Sequence, residues 1–428
     1  MTHYRLDQSF ALEMDSKDPL AHYREKFYLP TGQDGKECIY FCGNSLGLQP
    51  KSVRAYIEQK LQDWETLGVE AHFHAKNPWL TYNEFLAKPT ARLVGAKPIE
   101  VVIMNALTVN LHLMVVSFYR PTAERHKILI ESHAFPSDQY AVKSQMAFHG
   151  FDPEASLIKL IPRPGETTIR TEDIEGVIEK EGDAIALIML GGVNYYTGQA
   201  FDMQRITRAG HAKGCVVGYD LAHAAGNIIL KLHDWNVDFA VWCSYKYLNA
   251  GPGSLAGCFV HERFAHRLDL PRFAGWWGHN KETRFQMPPN FDPIPGAEGW
   301  QLSNPPILSM APLRASMEMF DEVGMEKLCA KSKLLTGYLE FLLKQTLDDN
   351  IAIITPADVN QRGCQLSLRI KRGGKALYEK LKANHVICDW REPDIIRVAP
   401  VPLYNRFVDV YNFVKIFTAE YQRMLNAK

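Results

Sequence analysis

Between residues 127 and 219 the chain alternates short apolar runs with amphipathic stretches, and this alternation limits the possible folds more than any other feature. "KILIES" (127–132), "LIKLI" (157–161), "AIALIML" (184–190) and "CVVGY" (215–219) have the length and composition of buried strands. The intervening "SDQYAVKSQMAFHG", "EDIEGVIEKEG" and "MQRITRAGHAKG" carry helical spacing. Strands joined by helical crossovers pair in parallel and are covered on both faces. This predicts an α/β large domain with a mostly parallel sheet. Ligands of such sheets bind beyond the carboxyl ends of the strands.

The flanking regions read differently. Asp18-Pro19 has the form of an N-cap and first helical position, predicting a helix through Phe27. Val53, Ile57, Leu61, Trp64 and Leu67 recur at helical spacing, with Gly68 as the stop. After Pro305 a long helical stretch, "MEKLCAKSKLLTGYLEFLLKQTL", precedes the strand-like "IAIITP", "CQLSLRI", "VICDW" and "IIRVAP" and a last helix over about 405–425. This pattern predicts a smaller α+β domain. The expected division is an N-terminal segment (1–55) packing with the small domain, a large domain (56–305) and a small domain (306–428).

Two strand ends carry chemistry. "CVVGYDLAHAAG" puts Asp220 just past an apolar strand, with His223 three residues on. The next apolar run, "DFAVWCS", leads to Lys246 and then to a glycine-rich turn. In one parallel sheet, both groups emerge at the same rim. An amine and a carboxylate there suit pyridoxal phosphate, which needs a lysine to hold its aldehyde and an acid against its ring nitrogen. Taken singly, the lysine reads as a solvated strand end and the aspartate as a helix cap. The cofactor's other needs also have candidates. Thr108 stands at a probable helix start, where a phosphate binds. Phe135 offers an aromatic face just past a strand, with Ser137 and Asp138 beside it. Their plainer readings are a capping threonine and a phenylalanine that covers the core.

Other classes fit less well. Lys plus Arg and Asp plus Glu are 48 each, so no global field favours nucleic acid or an anionic membrane. No apolar run approaches spanning length, and the N-terminus has no signal-peptide core. Eight scattered cysteines without a C-x-x-C point to reduced thiols and a cytoplasmic protein. His72 and His74 lack a third ligand at convincing spacing, so no metal site is expected. "GPGSLAG" misses the third glycine of the dinucleotide fingerprint and precedes a strand. No Walker A or G-x-S-x-G pattern occurs.

Nine stretches carry a family resemblance: "YFCGNSLGLQP", "MNALTVNLHL", "AFPSDQYA", "YTGQ", "GCVVGYDLAHAAGN", "WCSYKYLNAG", "GWWGH", "SNPPIL" and "IRVAPVPLYN". Through them the chain resembles kynureninases, in particular the animal-type enzyme, within the fold-type-I (aspartate aminotransferase-like) pyridoxal phosphate class. The resemblance implies hydrolytic Cβ–Cγ cleavage of L-kynurenine or 3-hydroxy-L-kynurenine by a homodimer with active sites at the subunit interface. Lys246 would tether the cofactor, Asp220 pair with its ring nitrogen and Phe135 stack on the ring. Leu107, Thr108, Tyr245 and Trp276 would hold the phosphate, while Ser137, Asp138, His223 and Asn304 would line the cofactor. Arg397 would bind the substrate α-carboxylate as a bidentate pair. His72, Ser303 and Asn304 would contact the aromatic ring and favour the 3-hydroxylated substrate. Tyr196 is the candidate acid–base group at the carbonyl, with Tyr245 as a possible second. Two positions depart from the family pattern: Gly191 stands for a serine and Asn194 for a histidine.

Rival readings remain at this level. A cysteine desulfurase or selenocysteine lyase of the same fold would need a cysteine on a mobile loop, whereas Cys364 and Cys388 lie in strand-like surroundings. A non-catalytic relative would have lost Lys246 or Arg397.

Overall fold

The structure is a computed structural model that describes residues 3–346 and 348–426. Helix α1 (Gln8–Ser16) is capped by Asp7, which accepts from Phe10 N, and strand β1 (Ile39–Tyr40) follows. Helices α2 (Val53–Leu67), α3 (Ala71–His74) and α4 (Glu84–Val94) lead into the main sheet. Gly68 ends α2 with φ of 53°, as its position after the periodic run predicts. Asp18 caps only a turn: its Oδ1 accepts from Leu20 N, and Ala21–Lys26 winds as a short 3-10 helix. The predicted α-helix through Phe27 does not form. The Asp18 carboxylate pairs instead with the buried Lys331 ammonium, 2.7 Å away.

Seven strands form the main sheet: β2 (Val101–Met104), β3 (Lys127–Glu131), β4 (Leu157–Leu160), β5 (Ile185–Gly191), β6 (Val216–Asp220), β7 (Phe239–Cys243) and β8 (Ala256–Val260). Helices α5 (Leu107–Phe118), α6 (Pro136–Phe148), α7 (Pro153–Ser156), α8 (Thr171–Glu181) and α9 (Met203–Ala212) connect them. The spatial order is β2-β8-β7-β6-β5-β3-β4. Only β8 runs against its neighbours; the pairs from β7 to β4 are all parallel. The central strands are buried on both faces, and their side chains alternate between two cores; edge strand β4 is only partly covered. Leu187 and Met189 face one layer with Leu111 and Met114 of α5, while Ile188 and Leu190 face the other.

The remaining chain comprises α10 (Ile307–Val323), α11 (Met325–Leu343), β9 (Ile351–Ile353), β10 (Leu366–Ile370), α12 (Gly374–Ala383), β11 (Val386–Ile387), β12 (Asp389–Arg391), β13 (Ile395–Val398) and α13 (Phe407–Asn426). A four-stranded antiparallel sheet, β12-β13-β10-β9, supports its own core with α11 and α13. The predicted strand "VICDW" is split at Cys388 into β11 and β12. Leu347, the end of the predicted long helix, lies outside the described residues.

Two features modify the expected organisation. Met310, Leu313, Met317 and Phe320 of α10 belong to the large-domain core, and so do Leu328 and Cys329 of α11. The second core starts at Leu335 of α11, so the two cores part within that helix. The N-terminal segment serves both. Phe10 and Phe41 enter the small-domain core, Tyr23, Phe27 and Leu48 the large one, and β1 pairs in parallel with β11.

Candidate active site

Three adjacent parallel strands end in line at one rim of the sheet: β3 at Glu131, β5 at Gly191 and β6 at Asp220, with Gly191 and Asp220 in register. The next strand, β7, ends at Cys243, and the chain turns through Tyr245 to Lys246. A cavity of about 260 Å³ opens above these ends, lined by Glu131, Gly191, Asp220, Tyr245 and Lys246. Thr108 of α5, Phe135 and Asp138 also line it. The strand-end argument therefore places Asp220 and Lys246 in one cavity, as read from sequence.

Backbone contacts fix the amine. Lys246 Nζ lies 3.1 Å from His223 Nε2, 5.8 Å from the Tyr245 ring centre and 6.0 Å from that of Phe135. Beneath it, Gly47 N donates to Tyr245 O at 2.8 Å. A β-carbon on Gly47 would stand 2.3 Å from Lys246 O, so glycine is the residue that lets the 43–48 loop support the lysine turn.

The acids are arranged by burial. Asp220 Oδ1 accepts from Ala222 N at 2.7 Å. Burial raises the Asp220 pKa, and the Ala222 N–H, the Lys246 charge and a hydrogen bond from Asp138 oppose that rise. Burial, and then the charges of Asp220 and Glu131, push Asp138 well above the carboxylate range. The interaction between the two acids raises Asp138 and lowers Asp220, so the pair favours a charged Asp220. Burial pushes Glu131 up to about 7, against hydrogen bonds from its own and the Gly191 backbone. Burial, then the Lys246, Arg397 and Arg391 charges, hold His223 well below the usual imidazole range. His223 is a neutral contact to the amine.

These residues fit pyridoxal phosphate. Helix α5 begins at Leu107 after Ala106 with no capping side chain, leaving its first N–H groups free for an anion. Thr108, second in the helix, is exposed and not a cap. His223 Nδ1 and Ser244 Oγ are buried without a hydrogen-bond partner. Gly191 keeps the rim open: a β-carbon there would stand 3.0 Å from Glu131 Oε1. A buried carboxylate, an amine, an aromatic face and an uncapped helix start converge on one cavity.

Several predicted residues lie elsewhere in the chain. Trp276 is 41% exposed, and its Nε1 donates to Arg284 O at 3.3 Å. Ser303 and Asn304 are exposed, and partly exposed His72 sits on α3 with Nδ1 3.0 Å from Val69 O. None of the four lines the cavity. Arg397, buried on β13, is not among the lining residues either, though its charge bears on His223. Tyr196 is also outside the lining. Its hydroxyl is 3.3 Å from Asp394 Oδ1, and its ring stacks on His133. Tyr195 lines the cavity instead, edge-on to Phe135 at 5.1 Å. Asn194, the departure from the family histidine, shapes this turn: its Oδ1 accepts from Tyr196 N at 3.0 Å and Thr197 N at 2.9 Å. Sequence reasoning missed Glu131 and Tyr195. The strand-end rule that found Asp220 also points to Glu131, the last residue of β3.

Away from the cavity, Glu100, His233 and His261 bring three ligand atoms together. They hydrogen-bond within the cluster and to nearby backbone: Lys97 N and Glu262 N donate to Glu100 at 2.8 Å, Arg263 N donates to His261 at 3.2 Å, and His233 Nδ1 lies 2.9 Å from Glu100 Oε1. The cluster is a polar brace for its turns. All eight cysteines are free, and all but Cys42 are buried. No helix among the described residues is long and apolar enough to cross a membrane.

Comparison with known proteins bears on this geometry. The kynureninase C-terminal domain family matches residues 328–417. The chain is 63% identical to a kynureninase of Koribacter versatilis over 412 residues, 96% of this chain and 97% of that one. It is 62% identical to a kynureninase of Myxococcus xanthus over 95% of this chain and 96% of that one. These relatives are bacterial, so they give the animal-type part of the resemblance no support. A cysteine desulfurase of Escherichia coli superposes with a TM-score of 0.76 at 16% identity, covering 94% of this chain and 98% of that one. A protein solved with glycine covalently linked to its PLP cofactor superposes with a TM-score of 0.74 at 15% identity, covering 89% and 96%. At such identity the likeness concerns the fold alone.

Proposed function

The chain belongs to the kynureninase family, and from that premise we propose which of its residues carry the reaction. It is a pyridoxal-phosphate-dependent hydrolase that cleaves a C–C bond of kynurenine. The observation that supports the assignment best is the placement of Lys246 and Asp220 at neighbouring strand ends in one cavity. When bound, the cofactor supplies an electron sink for negative charge developing on the substrate carbons.

Lys246 would hold the cofactor through its amine, and the same amine would take the proton from the substrate Cα. Asp220, buried at its strand end, would face the ring nitrogen and keep it protonated, with Asp138 beside it lowering the Asp220 pKa. The α5 N-terminus, with Leu107 and Thr108, receives the phosphate together with Tyr245. Phe135 covers the ring, and Ser137 and His223 line it. Arg397 binds the substrate α-carboxylate. Cleavage requires water at the γ-carbonyl and a proton for its oxygen. We assign that proton to Tyr196, whose phenol is raised by burial and the nearby Asp394 and is therefore a donor at neutral pH.

His72, Trp276, Ser303 and Asn304 lie outside the cavity of their own chain, which supports a homodimer in which they complete the partner's site. The ring-contacting His72, Ser303 and Asn304 then favour the 3-hydroxylated substrate. An apolar hollow of about 720 Å³ beside the lysine loop, lined by Tyr28, Leu46, Pro252 and Leu308, gives such a partner a seat. Free, mostly buried thiols support a cytoplasmic location. The division of the cores supports a large and a small domain that part within α11.

The test is reductive trapping. Borohydride-treated holoenzyme should carry the cofactor on the peptide containing Lys246. A label on another lysine, or none, refutes the assignment.

A further inference from the structure

Strands β12 and β13 bring three charged side chains together. Asp389 stands directly opposite Arg397 in the register, and Arg391 opposite Ile395. One carboxylate oxygen, Asp389 Oδ2, accepts from Arg397 Nη2, from Ser45 Oγ and, at 3.1 Å, from Arg391 Nη2. Arg397 Nη1 donates to Tyr195 O at 2.8 Å, and Nη2 reaches Ser45 Oγ at 3.2 Å. Arg397 Nε is buried and has no partner. A guanidinium has five N–H donors. Three are used here, so two are unpartnered.

The charges do not balance. Two arginines share one aspartate, and the cluster keeps one excess positive charge. The Arg397 side chain is 1% exposed and Arg391 40%, so water reaches the second cation but hardly the first. The field reaches the cavity, because both arginines depress the proton affinity of His223. Tyr195 links the two places, giving its backbone oxygen to Arg397 and its ring to the cavity wall.

We propose that Asp389 is a positioning residue for substrate selection. It holds Arg397 in a fixed orientation, and Arg391, sharing that aspartate, keeps the cluster one charge short of neutrality until the substrate α-carboxylate arrives. The site then takes α-amino acids and rejects the corresponding amines. The inference rests on the reading of Arg397 as the carboxylate-binding residue.

The test compares L-kynurenine with kynuramine, the same amine without the carboxylate, on the holoenzyme. Steady-state kinetics give KM and kcat for the first, and competitive inhibition gives Ki for the second. In Asp389→Asn, KM should rise about tenfold with kcat within about threefold, and Ki for kynuramine should not change. A purely structural role would weaken both ligands together, and that outcome overturns the inference. So does an unchanged KM. Arg391→Gln, at a more exposed position, makes the same test should the first variant fail to fold: KM rises and Ki holds, and an unchanged KM overturns the inference. If wild-type protein binds both ligands equally, the Arg397 reading fails and takes this one with it. If wild type discriminates and both variants discriminate equally well, only the present inference fails.

Discussion

Replacing Asp220 with asparagine isolates the electron-sink role from everything else in the cavity. The new side chain keeps an oxygen to accept from Ala222 N, now 2.7 Å from Oδ1, so the 220–226 turn should survive. What disappears is the buried negative charge proposed to face the cofactor's ring nitrogen. Losing one partner of a buried, hydrogen-bonded ion pair costs about 3–5 kcal/mol. The pair is needed most when negative charge enters the ring, so the cost falls on the barrier. At about 1.4 kcal/mol per decade it lowers kcat by about 10²–10⁴-fold. Cofactor content should stay near wild type, because Lys246 and the α5 N-terminus are untouched. The assay is release of the aryl acid under substrate saturation, with the visible band of the bound cofactor and circular dichroism as controls. Turnover within about threefold of wild type, with the cofactor in place, would falsify the role of Asp220.

Three further outcomes follow from the same geometry. Burial raises the Glu131 pKa from its ordinary 4.5 to about 7 in the folded protein, which therefore binds an extra proton between those values. Cofactor-free protein should therefore lose stability as pH rises through that window, by about 3 kcal/mol from this group. Glu131→Gln, which keeps an acceptor for Gly191 N, should reduce the drop in Tm between pH 5 and pH 8; an identical drop in both proteins contradicts the burial argument. Tyr196→Phe should lower kcat with little change in KM or cofactor content, and full turnover moves the proton donor to another phenol. Native protein should offer a disulfide reagent at most one slowly reacting thiol, Cys42, which burial pushes up to about 11, and all eight only after denaturation. A fast-reacting native thiol would revive the desulfurase-like reading.

The parts legible in the sequence were those set by period and by strand direction. Apolar runs bounded by amphipathic stretches gave β3 to β6, and the rule that ligands meet the carboxyl ends of parallel strands led to Asp220 and Lys246. Glu131 obeys that rule and escaped it, because "KILIES" does not show where its strand stops. The helix expected through Phe27 failed for another reason. Asp18 has the right chemistry for a cap, but Lys331, more than 300 residues on, claims its carboxylate, and local propensity does not see such a partner. Helix α10 was assigned to the small domain by proximity. Its apolar spacing shows that it needs a core but not which of the two it joins.

The same gap between pattern and partner governs the site. A motif names the residues that meet a ligand and says nothing about which copy of the chain presents them. His72, Ser303 and Asn304 are polar and at least partly exposed, and Trp276 is a large half-exposed aromatic. Trp276 and His72 make contacts within their own chain, but none of the four lines its cavity. Lys246, Asp220 and His223 differ: strand ends and close backbone contacts within one chain hold them in place. Most of the proposed cofactor contacts should therefore come from one folded chain, with Trp276 and Asn304 added by the partner, whereas recognition of the substrate's ring should depend wholly on the assembly. The proposed dimer thus predicts an asymmetry on dilution, with substrate affinity declining before cofactor occupancy does.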